Sequence, residues 1–200
     1  STLQEAIDRQ TEFDSGLETT AVYDHPLSTD PAEDRSHLGI FYPIVGHICH
    51  IVAVEVDHGT GKVEILDYAA VHDNGTMVNP RTLAGQVWGG TANGIGTTLT
   101  EQFLYDADGQ FTNPNFAEFA MPTANEMPRN FKLGHVETPS PFTEYGIKGG
   151  GEGGRLGAPS ALTSAIEDAL SDRGVKITSL PVTPPTLRGL IRDAEQAATA

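Results

Sequence analysis

The chain has 200 residues, of which 38% are hydrophobic and 20% are charged, and its formal net charge is −15 at pH 7. This composition excludes a largely disordered protein and leaves room for one substantial domain or two small ones. The negative charge argues against binding to nucleic acid or to an anionic membrane surface, because both need basic patches.

The single cysteine, Cys49, excludes an intrachain disulfide. It also leaves too few thiolates for an iron–sulfur cluster or a four-ligand structural zinc site built by this chain alone. No apolar run reaches the roughly 18 residues of a transmembrane helix, and residues 1–10 lack the basic and apolar regions of a signal peptide. The default expectation is therefore a cytoplasmic protein. A first residue Ser1 fits initiator removal, processing or a piece of a longer protein.

Apolar spacing in the first part of the chain predicts a short helix over 2–12 and a strand over 17–23. The acidic, proline-rich segment 24–38 is predicted to be a loop, and an internal break is expected there. Residues 46–57 are rich in β-branched side chains, which favours a strand buried on both faces. A glycine-containing turn joins them to a second strand over 62–72, so the pattern predicts an antiparallel hairpin.

Asn79 as an N-cap and Pro80 as a first helical residue predict a helix over about 80–104. Its five glycines each cost roughly 1 kcal/mol relative to alanine, which predicts close backbone packing or a break near Gly89–Gly90. Further predicted elements are a strand over 131–137, an amphipathic helix opened by Pro159 and closed by Gly174, a strand over 175–180 and a last helix capped by Thr183. Helices mixed with an antiparallel hairpin indicate an α+β fold with a mixed sheet and packed helices.

The segment 145–157 contains seven glycines around Lys148 and Glu152. Glycine loses the most freedom on folding, so such a segment is typical of a backbone that a ligand approaches closely. It formally fits the dinucleotide fingerprint, a weak match that any glycine run produces, and it is not a Walker A loop. Free N–H groups that lead into a helix form a natural anion site. A carboxylate among them, that of Glu152, can be directed at a reacting centre. The alternative is a glycine-rich turn with a surface glutamate.

Other residues carry weaker functional signals. Gln86, in a predicted helix with flanking glycines, can offer a donor and an acceptor to a polar ligand, although the residues alone favour helix packing as the explanation. Strand alternation separates His50 from His47 and Cys49, so a shared metal would need a bulge. Neighbouring residues of a strand, such as His72 and Asp73, point apart and do not form a dyad.

Several motifs occur in a fixed order along the chain. They are Val54-Glu55-Val56-Asp57, Asp73-x-Gly75-x-x-x-Asn79-Pro80, Gly85-Gln86-x-x-Gly89-Gly90-x-x-x-Gly94-Ile95-Gly96, Tyr105-Asp106-x-x-Gly109 and Gly146-x-Lys148-Gly149-x-Gly151-Glu152-x-Gly154. Together they resemble the C-terminal part of the molybdenum-binding large subunit of the xanthine dehydrogenase, aldehyde oxidase and carbon monoxide dehydrogenase family of molybdenum hydroxylases.

The resemblance implies that residues 1–200 form one C-terminal molybdopterin-binding domain with the loop 24–38 inside it. Glu152 matches the family's catalytic base, and no protein side chain is expected to ligate the metal. The residues that match cofactor-binding positions are Gln86, Lys148, Gly149, Gly150 and Gly151. The implied cofactor is molybdopterin cytosine dinucleotide with molybdenum.

Family large subunits are several times longer than this chain, so the resemblance places most of the substrate pocket in an N-terminal part found elsewhere. It places [2Fe–2S] clusters on an iron–sulfur subunit and FAD on a further subunit, and it implies that the chain is inactive alone. The implied reaction oxidises an aldehyde, an N-heteroaromatic compound or CO, with water as the oxygen source. The alternative is a non-catalytic assembly or binding module that retains the same scaffold.

Overall fold

The computed structural model describes Thr20, residues 27–29 and residues 44–199. The chain divides into two units, Ser1–Pro43 and Ile44–Ala200, and every element below belongs to the second. The helix predicted over 2–12 lies outside the described residues, as do most of the strand predicted over 17–23 and of the loop 24–38. Between residues 44 and 199 no helix is long and apolar enough to cross a membrane.

The predicted hairpin is confirmed. Strand β1 (His47–Val56) pairs antiparallel with β2 (Val63–Asp73). Asp57 stabilises the turn between them by accepting hydrogen bonds from the Gly59 amide at 2.8 Å and the Thr60 hydroxyl at 2.8 Å. Strand β3 (Phe131–His135) pairs parallel with β2 and ends two residues earlier than predicted. The order β1-β2-β3 is the expected mixed sheet.

Burial of β1 on both faces was a wrong prediction. Its side chains alternate, with Val52 and Val54 half-buried against the core and Ile51 67% exposed on the opposite face. The β-branched residues therefore reflect strand propensity, while only the inward set contributes to the core. His50 and Cys49 lie on opposite faces, as predicted, and Cys49 is exposed.

Helix α1 (Pro80–Leu99) begins where the capping pattern predicts. The Asn79 side chain accepts hydrogen bonds from the amides of Arg81 at 3.1 Å and Thr82 at 3.2 Å. The helix is continuous through Gly89–Gly90 and ends five residues before the predicted 104. Helix α2 (Phe116–Phe119) is a single short turn.

Helix α3 (Gly153–Ala169) begins inside the glycine segment, not at Pro159, and ends before Gly174. The earlier start of α3 has a packing cause, because α3 crosses α1 at glycines, which have no side chains to keep the two backbones apart. A Cβ built on Gly154 would lie 2.4 Å from the Val87 carbonyl oxygen, and one on Gly94 would lie 2.7 Å from the Ala158 Cβ. The close-packing interpretation of the α1 glycines is thus confirmed at Gly94.

The strand predicted over 175–180 is absent. After α3, a 3-10 turn (Ser171–Arg173) and Gly174, with φ of +68°, lead into an irregular segment. Its amides find partners outside any sheet: Ile177 donates to a Glu167 carboxylate oxygen at 2.7 Å and Val182 to the Thr98 carbonyl at 2.6 Å. Of the apolar side chains that suggested a strand, Val175 is buried in the core and Ile177 packs against it, whereas Leu180 is exposed.

Helix α4 (Pro184–Thr199) follows Thr183, as expected. Two groups of buried side chains form the core. One lies between α3, α4 and the irregular segment and comprises Ile166, Leu170, Val175, Val182, Leu187 and Ile191. The other lies between the sheet, α1 and α3 and comprises Tyr68, Ala70, Val87 and Ala158. The second group sets the N-terminus of α3 beside the end of β2.

Candidate functional site

The glycine loop, residues 147–152, runs from a 3-10 turn (Glu144–Gly146) to the start of α3. Asn74, the residue directly after β2, forms two hydrogen bonds with the backbone of this loop. Its carbonyl accepts a hydrogen bond from the Lys148 amide at 2.9 Å, and its side-chain amide donates to the Gly149 carbonyl at 2.7 Å. Gly75 also forms an antiparallel bridge with Ile147. The start of the loop is therefore fixed to the sheet.

The Lys148 side chain points into the protein, and only 11% of it is exposed. Its ammonium lies 2.9 Å from a carboxylate oxygen of Asp73 and 2.6 Å from the Thr138 hydroxyl. The Thr138 hydroxyl first of all, and then the Gly75 amide and the Lys148 ammonium, hold the pKa of Asp73 well below its usual range. Lys148 consequently presents its backbone, not its charge, to the outside of the loop.

The three glycines after Lys148 differ in their surroundings. A Cβ built on Gly149 or Gly151 would meet nothing within 4 Å, so their backbones border open space. A Cβ on Gly150 would lie 2.8 Å from the Leu83 side chain and 3.2 Å from that of Asn74. Two of the three glycines thus leave the backbone accessible, while the middle one packs against α1.

Gln86 connects α1 to this loop. Its side-chain amide nitrogen donates a hydrogen bond to the Gly151 carbonyl at 2.7 Å. No described residue donates a hydrogen bond to its side-chain oxygen. On the same helix, a Cβ on Gly85 or Gly89 would meet nothing within 4 Å. Within the described part of the chain, the space beside Gly85 and Gly89 is therefore open, and the Gln86 amide oxygen has no hydrogen-bond donor.

A cavity of about 490 Å³ lies between the loop and α1. Gln86, Lys148, Gly150 and Gly151 line it, so the structure brings together four of the five predicted cofactor contacts; Gly149 is adjacent. The other lining residues were not predicted as site residues; they are Asn74, Thr76, Met77, Val78, Asn79, Thr82, Leu83 and Ile147. Five of them lie within the Asp73-x-Gly75 to Asn79-Pro80 motif, whose Asn79 and Pro80 were interpreted only as a helix start. A second cavity of about 600 Å³, near Val63 and Val182, contains none of the predicted residues.

Glu152 directly follows the cavity-lining Gly151 and immediately precedes α3. It is exposed, and its carbonyl accepts the Leu156 amide at 3.0 Å. Its carboxylate does not cap the helix, and it has no hydrogen bond or ion pair with any residue of the described part of the chain. A carboxylate at this end of α3 faces the positive pole of the helix dipole. The arrangement presents a carboxylate that can accept a proton from a bound molecule.

Two histidines lie beneath the first turns of α3. His50 Nδ1 is 2.8 Å from the Tyr68 hydroxyl, and His50 Nε2 is 2.9 Å from His72 Nε2. Burial, reinforced by the neighbouring His72, lowers the pKa of His50 to about 4, and burial also lowers the pKa of His72. Both rings are therefore neutral at pH 7. Within residues 44–199 and the few described before them, no three His, Cys, Asp or Glu side chains lie close enough to hold a metal ion.

Comparison with known proteins identifies the scaffold. Residues 1–128 match the family model of the molybdopterin cofactor-binding domain, a range that includes Gln86 and ends before the glycine loop. The chain is 36% identical over 172 residues to the nicotine 6-hydroxylase large subunit of Paenarthrobacter nicotinovorans, covering 86% of this chain and 19% of that one. It is 31% identical over 171 residues to the carbon monoxide dehydrogenase large chain of Hydrogenophaga pseudoflava, again covering 86% and 19%.

A solved structure gives the same result. The crystal structure of quinoline 2-oxidoreductase from Pseudomonas putida 86 matches with a TM-score of 0.67 and 39% sequence identity, over 70% of this chain and 18% of that one. The α+β fold is thus shared with this enzyme. The chain spans about a fifth of the length of the relatives that it matches.

Proposed function

This chain belongs to the molybdopterin cofactor-binding domain family found in the large subunits of molybdenum hydroxylases, and from that premise we propose that it forms one wall of a molybdenum active site. The open backbones of Gly149 and Gly151 fit a bulky cofactor, because Gly151 lines the cavity, Gly149 is adjacent to it, and a Cβ at either would meet no described atom within 4 Å. The Gln86 amide and the backbone of Lys148 to Gly151 are the groups that would hold it. The cytosine dinucleotide form is part of this proposal and rests on the sequence resemblance.

The observation that carries the proposal is the carboxylate of Glu152, which is exposed beside this open loop and has no partner among the described residues. When bound, the molybdenum cofactor would supply two-electron oxidation chemistry. The chain's own contribution is a general base: Glu152 accepts a proton from the oxygen that attacks the substrate. The loop keeps side chains away from the base, and the Lys148–Asp73 pair together with Asn74 fixes the backbone on the cavity side of it.

The proposed reaction is oxidation of an aldehyde, an N-heteroaromatic compound or CO, with water as the oxygen source. The names of relatives support this range, since one is a nicotine hydroxylase, one a carbon monoxide dehydrogenase and one a quinoline oxidoreductase. Because the chain spans a fifth of such subunits, the rest of the pocket belongs to the remaining N-terminal part. We place [2Fe–2S] clusters and FAD on partner chains, expect activity only in that assembly, and keep the cytoplasmic location expected from the sequence.

Replacing Glu152 by Gln in the complete assembly tests the proposal. Turnover should fall by at least ~10²-fold with molybdenum retained, the scale expected for loss of a general base. The matched control is Glu144→Gln, which removes an exposed carboxylate from the preceding 3-10 turn and should leave turnover within about twofold of wild type. Unchanged turnover of the Glu152 variant contradicts the assignment.

The alternative, a non-catalytic assembly module, makes a different prediction for the same complex. Metal and pterin analysis of the purified assembly should find molybdenum and a pterin dinucleotide if the chain serves an active site. A complete assembly without either overturns the enzymatic proposal and favours the module.

A further inference from the structure

Three consecutive residues at the end of β2 contact the glycine loop and the start of α3 at three successive points. Asn74 holds Lys148 and Gly149 through hydrogen bonds, and Asp73 pairs with the Lys148 ammonium. His72 contacts the first residue of α3, directly after the loop, since a Cβ built on Gly153 would lie 2.9 Å from both Nδ1 and Cε1 of its ring. Glu152 lies between the second and third points and is adjacent to the His72 contact.

The position of His72 is fixed from every side. The residue is fully buried, and its backbone pairs with Ile48 of β1 and His135 of β3 in the centre of the sheet. The Ile48 side chain meets Gly153 beside the His72 ring, at 2.9 Å from the built Cβ. A rigid surface therefore lies under the first residue of α3, and only a glycine fits against it.

The hydrogen-bonded chain Tyr68–His50–His72 orients the ring. Burial raises the pKa of Tyr68, so its hydroxyl keeps a proton that needs an acceptor. If Tyr68 donates to His50 Nδ1, His50 donates from Nε2 to His72 Nε2, and both short contacts are satisfied. The opposite direction leaves the buried Tyr68 proton without an acceptor among the described residues, whereas the first direction leaves the proton on His72 Nδ1 without one. In both directions the two short contacts hold the His72 ring with its Nδ1 edge towards Gly153.

His50 supports the same helix one turn further along. A Cβ built on Gly157 would lie 2.7 Å from His50 Cγ and Nδ1. The two linked rings thus contact α3 at Gly153 and Gly157, four residues apart on one face. Any displacement of the His72 ring is transmitted to the backbone that carries Glu152, because no side chain separates them.

We propose that His72 is a positioning residue for Glu152: its ring, oriented by His50 and Tyr68, sets the backbone at Gly153 and thereby the direction of the preceding carboxylate. The inference rests on the proposed function, since direction matters only if Glu152 is the base. A misplacement of about 1 Å in a catalytic group can cost on the order of 10²-fold in rate. His72 therefore affects the chemical step rather than substrate binding.

The test uses the complete assembly with His72→Gln, which keeps a polar group near the position of Nε2, and Gly153→Ala, which perturbs the same contact from the loop. We expect kcat to fall at least ~10-fold in both, with KM within about twofold and molybdenum content unchanged. Hydrogen–deuterium exchange of the amides from Gly149 to Gly154 should become at least ~10-fold faster in the His72 variant. Tyr68→Phe should produce a smaller change in the same direction.

The control is His58→Gln in the turn between β1 and β2, at the opposite end of the hairpin from the loop, and it should keep kcat and loop exchange near the wild-type values. Unchanged kcat and unchanged loop exchange in the His72 variant overturn the inference, as does a rise in KM alone or a loss of molybdenum. If the His72 variant fails to assemble, Gly153→Ala decides by the same criteria. Glu152→Gln separates the two proposals: if it abolishes turnover while the His72 and Gly153 variants do not, only the positioning role fails.

Discussion

Replacing Gly154 by alanine should separate the steric demand of the helix crossing from ordinary helix propensity. Gly154 lies in the first turn of α3 and faces α1. An added Cβ would be 2.4 Å from the Val87 carbonyl oxygen, 3.0 Å from the Thr91 amide and 3.2 Å from the Gly90 Cα. All three are backbone atoms of a buried helix surface, so no side chain can rotate out of the way.

The expected magnitude combines two opposing effects. Alanine favours a helix over glycine by about 1 kcal/mol, which stabilises the variant. The 2.4 Å contact is about 1 Å shorter than an ordinary contact of 3.4 Å, and forcing extra volume into a packed core costs about 1–3 kcal/mol. With rigid backbone on the other side we expect the upper end, about 3 kcal/mol, so the net destabilisation is about 2 kcal/mol. The melting temperature should fall by about 4–8 °C.

The assay is urea denaturation and thermal melting of wild type, Gly154→Ala and the control Gly189→Ala. Gly189 lies inside α4, and a Cβ there would meet nothing within 4 Å, so the control should gain about 0.5–1 kcal/mol. The two variants make the same chemical change and are expected to shift stability in opposite directions. A Gly154 variant as stable as the Gly189 variant would refute the close crossing of α1 and α3.

Three further predictions concern stability. The contacts of Asp73 favour its ionised form, so this residue stabilises the fold at neutral pH, and the stabilisation is lost as the pH falls below its ordinary pKa of 3.8. Asp73→Asn should therefore lower the urea midpoint at pH 7 and approach the wild-type midpoint below pH 4. A difference between the two midpoints that stays constant with pH would contradict this. His50 has its pKa lowered from 6.5 to about 4, so the unfolded chain binds its proton first and stability declines from pH 6.5 towards 4; His50→Gln should flatten that decline in the same titration. Asn79→Ala should cost about 1 kcal/mol in urea denaturation by removing the α1 cap, whereas Asn79→Asp should cost little.

Local sequence signals predicted the elements that depend on local physics. The hairpin followed from two β-branched runs around a glycine turn, and the start of α1 followed from an N-cap and a proline. The start of α3 was predicted six residues late because Pro159 is a common first helical residue. Gly153, Gly154 and Gly157 are poor helix formers, so packing against α1 and the two histidines, rather than local propensity, makes this segment helical.

The contacts that build the site join residues far apart in sequence, and no spacing rule predicts them. Lys148 pairs with Asp73 across 75 positions, and Gln86 bonds to Gly151 across 65. The sequence pattern placed Asp73 at the end of a strand and argued against a pair with its neighbour His72. It did not predict the residues that Asp73 contacts in the fold. The strand predicted over 175–180 failed for a related reason: apolar alternation shows which side chains are buried, not whether the backbone finds a sheet.

The glycine segment, which looked uniform in the sequence, serves three different physical purposes in the fold. Gly149 and Gly151 border open space, Gly150 packs against Leu83, and Gly153 fits against the His72 ring. A side chain added at Gly149 or Gly151 would occupy open space that a ligand could fill, whereas one added at Gly150 or Gly153 would meet protein atoms. Alanine at Gly149 or Gly151 should therefore leave the fold intact and reduce molybdenum content, while alanine at Gly153 should retain molybdenum and reduce kcat. Metal analysis paired with turnover in the same assemblies distinguishes these outcomes, and molybdenum retained in full with alanine at both Gly149 and Gly151 would show that the open backbone is not where the cofactor binds.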